Sequence, residues 1–304
     1  MLPALALISA MCPASLSAVT TQTAPVRQKV TEAEIDRRFA LARSLAEAGK
    51  FEQSLKEYLF VFDNSRGVGG YGGVRLSYVP GEIAAIGQSY PPALAALRAR
   101  RDESEKLLLA ARADFTDLQE LTSLNEYLGT PERNLATFDK LKGLGASHAE
   151  VREDMITLVW EQLVAAKRYG DLKSSADELA RRVVSRVAET VINNDFPGGR
   201  ASGAWNTPEY QSYLRFSIIE EGGRVYEVFL GLGRADTAEK LAKWMLTFSA
   251  DGEVYARLIN SAINAERGDV AGELIERANK LLKRGEDLRL VREAAERLAG
   301  AKAN

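Results

Sequence analysis

From Thr31 onward, apolar residues return every three or four positions, and sustained alternation of apolar and polar residues is nearly absent. Period 3.6 buries one stripe of a helix, whereas a half-buried strand needs period two. The stripes include Ile35, Phe39, Ala42 and Leu45, then Leu55, Tyr58, Leu59 and Phe62. Later come Leu118, Leu121, Leu124 and Leu128, then Val270, Leu274, Ala278 and Leu281. Only Val74, Leu76 and Tyr78 alternate, a piece too short to found a sheet. The chain is expected to be all-α, with about a dozen helices.

Local chemistry marks the helix starts. Thr31 with Glu34 and Ser147 with Glu150 have capping-box spacing, in which each side chain satisfies an otherwise unpaired N–H. Thr130-Pro131-Glu132 and Thr207-Pro208-Glu209 each offer an N-cap, a proline at the first helical position and an acid in the first turn. Short turns between helices make the neighbours antiparallel.

Several of these pairs look alike. Residues 41–61 read LARSLAEAGKFEQSLKEYLFV, with Gly49 and Phe51 at a turn and Tyr58 in the second helix. Residues 121–141 repeat the plan with Gly129 and Phe138, and 163–179 place Tyr169 at the turn. Residues 225–245 carry Gly233, Ala238 and Trp244, and 259–278 turn at Gly268. These units resemble tetratricopeptide repeats. The resemblance implies a right-handed solenoid of antiparallel helix hairpins over 27–304, whose surface grips a protein or peptide. Gly49, Phe51, Tyr58, Gly129, Phe138, Gly233, Ala238 and Gly268 are then the repeat-packing residues. The last unit also faintly resembles pentatricopeptide repeats, which bind RNA.

Two stretches depart from minimal hairpins and are expected to be loops, 64–79 and 193–206. Long loops on rigid scaffolds often carry function, and aromatic residues with arginine suit recognition. Tyr71, Arg75, Arg200 and Trp205 are therefore the candidate binding residues.

The first 26 residues contain no charge. Met1 to Ala18 is apolar, and Pro3 and Pro13 argue against a buried helix. Residues 1–26 are expected to be a secretory leader and linker, cleaved after Ser17, which places the protein in the periplasm or outside the cell. No basic residue precedes the apolar run, so the leader is atypical or the start lies upstream. Cys12 is the single cysteine, and Met11 stands where a lipoprotein site needs a small residue. The cleaved chain would lack disulfides, thiol catalysis and thiolate-bound metal. No later segment has 18 consecutive apolar residues, so no span is expected after the leader.

Lys plus Arg number 40 against 42 Asp plus Glu, which removes the basic excess that phosphate binding requires, so no nucleic acid partner is expected. His148 is the single histidine and is expected in a solvated first turn. Gly67 to Gly72 matches G-x-G-x-x-G by letter alone. A helix precedes it and no helix is expected to open behind it, so no dinucleotide, metal or other cofactor is expected. Carboxylates with Trp160, Trp205 and Trp244 admit a second reading, an exported α-helical carbohydrate-active enzyme or sugar-binding protein. The hairpins place Trp160 and Trp244 in packed positions, which favours a non-enzymatic interaction scaffold of the cell envelope.

Overall fold

The computed structural model describes residues 30–195 and 207–303, and these contain helices and no strand. In chain order the helices are α1 (Glu32–Glu47), α2 (Phe51–Asn64), α3 (Tyr71–Leu76), α4 (Tyr78–Gly87) and α5 (Pro92–Leu109). Next come α6 (Phe115–Tyr127), α7 (Glu132–Gly143), α8 (Ala149–Ala165) and α9 (Ala176–Asp195). The last are α10 (Pro208–Gly231), α11 (Ala235–Phe248), α12 (Gly252–Asn264), α13 (Gly268–Leu281) and α14 (Gly285–Ala303). None of the described helices is long and apolar enough to cross a membrane. Residues 1–26, including the expected cleavage site, lie outside the described residues.

Contacts follow a simple order. Each even-numbered helix from α2 to α12 packs against the next even one, so α2, α4, α6, α8, α10, α12 and α14 form a continuous series. The odd helices pack beside them: α1 on α2, α5 on α4 and α6, α7 on α6 and α8, α9 and α11 on α10, and α13 on α12 and α14. At the C-terminal end several boundaries recur at one step. α11 and α13 begin 33 residues apart and end 33 apart, as do the ends of α10 and α12 and the starts of α12 and α14.

The turns share one geometry. After α1, α5, α6, α8, α10 and α12, a residue in the left-handed region donates to the carbonyl three back, and the next donates to the carbonyl five back. This is a Schellman closure, which satisfies two carbonyls that the helix leaves open. Gly49, Gly129 and Gly233 hold that position at φ near +70°. Ala111, Lys167 and Glu266 hold it at φ 53°, 55° and 61°. Gly268, expected to be a turn residue, instead opens α13, and Glu266 makes the turn. The reason is register: Glu266 lies 33 residues after Gly233, whereas Gly268 lies 35 after it.

Caps agree in part. Thr31 Oγ1 accepts from the Glu34 N–H at 3.3 Å and Thr207 Oγ1 from the Tyr210 N–H at 3.2 Å. Thr130 does not cap α7, because its hydroxyl turns back to Asn125. Ser147 caps nothing either: it lies in a short 3-10 turn and bonds His148. A full capping box forms at α6, where Asp114 and Asp117 bond each other's backbone N–H.

Two stretches differ from expectation. Residues 64–79 are not one long loop, since α2 runs to Asn64, the six-residue α3 opens within the glycine run after Gly70 at φ 73°, and α4 starts at Tyr78. Residues 193–195 continue α9, and 196–206, with Arg200 and Trp205, lie outside the described residues. Trp160 is buried as expected, but Trp244 is 42% exposed and Leu281 58%, so the stripes of α11 and α13 run wider than their contacts.

Buried apolar side chains form two clusters. The smaller joins α1, α2, α4 and α5 around Ile35, Tyr58, Phe62 and Ile83. The larger runs from α5 to α14 through Phe138, Trp160, Phe229 and Tyr255. They meet at α6, which gives Leu124 to the first and Leu118 and Leu121 to the second.

Candidate functional site

Arg75 is buried, at 5% exposure, and so is no part of an open recognition loop. Its Nε donates to the Phe62 carbonyl at 2.9 Å, its Nη2 bonds the buried Glu120 carboxylate, and its guanidinium lies 4.3 Å from the Phe62 ring centre. Tyr71 stands one turn earlier on α3 and is half-buried, with its hydroxyl bonded to Asp36 on α1. Both side chains fasten α3 to its neighbours. Sequence spacing alone could not show that a glycine-rich segment was a packed helix, because the partners, Asp36 and Glu120, lie 35 and 45 residues away.

Arg75 belongs to a seam of buried charge where the two clusters meet. Arg66 reaches both Asp114 and Asp117 at 2.6 Å. Glu105 of α5 accepts from Thr137 at 3.0 Å, Lys140 at 2.7 Å and Arg133 at 3.0 Å, all on α7. Burial pushes the Glu105 carboxyl up, but Lys140, Thr137 and Arg133 outweigh that and hold it below the usual range. Asn125 donates to Asn134 at 2.7 Å beside them.

His148 is also buried, not solvated: its Nε2 donates to the Leu109 carbonyl at 3.0 Å, leaving Nδ1 to accept from the Ser147 hydroxyl at 2.9 Å. It ties the turn before α8 to the end of α5. Among the described residues no group of three or more His, Cys, Asp or Glu is placed to hold a metal ion.

A cavity lies elsewhere, between α11 and α13, with α10 as its floor. Its volume is about 300 Å³. Ala235, Ala238 and Ala242 keep the α11 face small, so the two helices leave a slot instead of interlocking. Tyr226 and Leu230 of α10 close the bottom, and Val270 and Leu274 line the opposite side. The rim carries Asp236 and Glu239 on α11, and Asp269, Glu273 and Arg277 on α13, with Arg267 just before it. Arg267 forms a two-bond pair with Asp269 at 2.9 and 2.6 Å, and holds that carboxyl down to about 2. Lys243 sits 2.7 Å from Glu239 and lowers its pKa. Burial raises the Tyr226 hydroxyl well above its ordinary value.

Behind Tyr226, the next residue has another role. Glu227 is buried and accepts from the Tyr169 hydroxyl and the Asn264 amide, both at 3.0 Å. Desolvation raises its pKa despite those bonds. Gly231 makes room for the Tyr169 ring, since a Cβ there would stand 2.1 Å from it. This network joins α10, α12 and the turn after α8.

Compared with known proteins, the chain matches no family model, no curated protein and no solved structure. Of the expected packing residues, Tyr58, Phe138 and Ala238 are buried and Gly49, Gly129 and Gly233 make left-handed turns, while Phe51 starts α2 half-buried. Neither Tyr71 nor Arg75 lines the cavity, and Arg200 and Trp205 lie outside the described residues. The sequence carries only a faint trace of the cavity: Ala238 is an expected packing residue, and Asp236 and Asp269 stand 33 residues apart.

Proposed function

We propose that the protein is a non-enzymatic helical-repeat scaffold that holds a protein or peptide partner, working in the cell envelope. The observation that supports it most is the 33-residue step in both bounds of α11 and α13, in the ends of α10 and α12 and in the starts of α12 and α14, combined with even helices that pack on even helices. A hairpin cannot bury its apolar face alone, so successive units stack, and the stack grows in one dimension as a solenoid of tetratricopeptide-like, right-handed kind. The contacts also favour this reading. α10, α12 and α14 touch directly, whereas α11 and α13 are separated by the cavity, as expected when one layer is tight and the other splayed. Such curvature presents extended grooves to a partner. The charge-free residues 1–26, apolar from Met1 to Ala18, support export.

Two measurements test this. N-terminal sequencing of the protein recovered from cells should find a shortened chain outside the cytoplasm. In-cell crosslinking should return the same partner from independent preparations; a full-length cytoplasmic protein, or no reproducible partner, would sink the proposal.

A further inference from the structure

The cavity between α11 and α13 discriminates among ligands by its charge and its free hydrogen-bonding capacity. Asp236, Glu239, Asp269 and Glu273 stand against Arg267 and Arg277. Arg267 is spent on Asp269, which leaves Arg277 facing three carboxylates, one of them shared with Lys243. The rim therefore keeps a negative excess that attracts cations.

The floor adds an independent requirement. Tyr226 is 2% exposed, and the charges acting on its hydroxyl are those of Arg267, Glu273 and Asp269, all on the cavity wall. No other described residue hydrogen-bonds that hydroxyl. The hydroxyl is not among the side-chain atoms sealed from solvent without a partner, so it opens on the cavity, where a ligand's polar atom can reach it. A fitting ligand brings N–H donors for the carboxylates and the Tyr226 oxygen. It also brings a slim apolar stem to lie on Ala238, Ala242 and Leu274.

We propose that this cavity receives a primary ammonium group on an apolar stem, namely a lysine side chain of the bound peptide. The assignment to a peptide rests on the scaffold reading above; the affinity for the ammonium group does not. Snorkelling side chains of this kind bury their methylenes and keep the charge at polar groups.

The test is a titration of the full chain followed by amide chemical shifts, with Nα-acetyl-lysinamide as probe. The shifts should concentrate on Tyr226, Ala238 and Glu273, saturate, and weaken with added salt. Nα-acetyl-norleucinamide, which lacks the charge, should leave them unmoved. Tyr226→Phe keeps the ring and Glu273→Gln changes an exposed helix position, so both should fold and each should weaken binding about threefold. Equal binding of the norleucine compound would make the slot merely apolar and overturn the proposal. Inorganic phosphate moving the same residues would assign the cavity to anions through Arg267 and Arg277, which also overturns it. So would the absence of shifts at the cavity. Butylamine, the same ammonium group on a bare stem, should move the same residues, and its failure to do so would overturn the side-chain ammonium as the group bound. Failure of the scaffold reading is separate, because it shows in crosslinking and leaves this titration unchanged.

Discussion

The two ends of the molecule solve the same packing problem differently. From α10 to α14, several helix boundaries recur at a 33-residue step, and the core between the helices is apolar apart from Glu227 and Ser261. From α3 to α7 the lengths vary, and the contact surfaces include buried Arg75, Arg101, Glu105, Asp117, Glu120 and Asn134. Regular spacing lets each helix meet the same kind of surface, so apolar side chains fill most of it and buried charge is confined to Glu227. Irregular helices leave uneven gaps, and long charged side chains with directed bonds fill them and set which helix meets which. The cost is fragility, because a buried charge tolerates no missing partner.

The largest expected effect probes that fragility. Glu120→Ala leaves Arg75 buried without its carboxylate and should cost roughly 3–5 kcal/mol in urea unfolding. Replacing both, as Arg75→Met with Glu120→Leu, should recover most of the loss, because neither charge then needs a partner. If the single and double variants unfold alike, the seam is not held by this pair.

The regular end has its own weak point in close backbone approach. A Cβ on Gly252 would stand 2.4 Å from the Asp287 Cα and 2.6 Å from its carbonyl oxygen, and backbone cannot turn aside. Gly252→Ala should destabilise by about 1–3 kcal/mol. Gly222→Ala meets only the flexible end of Met245 at 2.9 Å and should cost less. Equal effects on the melting temperature would show that α12 and α14 are not tightly juxtaposed at Gly252.

A smaller effect of opposite sign is expected at the turns. Glu266→Gly relieves a left-handed non-glycine residue and should stabilise by about 0.5–1 kcal/mol. Gly233→Ala, at the equivalent place one step earlier, should destabilise by a similar amount. If both changes moved stability in the same direction, the two turns could not be equivalent.

The smallest effect separates the ends by pH. Glu105, in the seam, has a lowered folded pKa, so its contribution is present above the ordinary carboxylate range and is lost as pH falls through the folded value. Glu227, in the regular end, has a raised folded pKa; its contribution is present below about 4.5 and fades as pH rises through the folded value. Glu105→Gln should therefore flatten the acid side of the stability profile and Glu227→Gln the neutral side. Denaturation midpoints across pH read both, and interchanged effects would reverse the assignment.

Much of this was legible in the residues. Thr31, Thr207 and the glycines at 49, 129 and 233 announce helix starts and stops through contacts spanning three to five residues, so no tertiary information is needed. The candidate site was far less legible. Arg75 and Tyr71 looked like recognition residues because their partners are remote in sequence, and Glu266 hid its turn behind a residue type that rarely adopts φ > 0.

Helical periodicity, helix caps, turn glycines and the near balance of charge were determined by the sequence itself, since each depends on local backbone chemistry or on composition. The burial of Arg75, the exposure of Trp244, and the slot over Tyr226 were decided only by tertiary structure. They depend on which face of one helix meets another far along the chain, and a stripe of apolar residues states that a face is buried without naming what it is buried against.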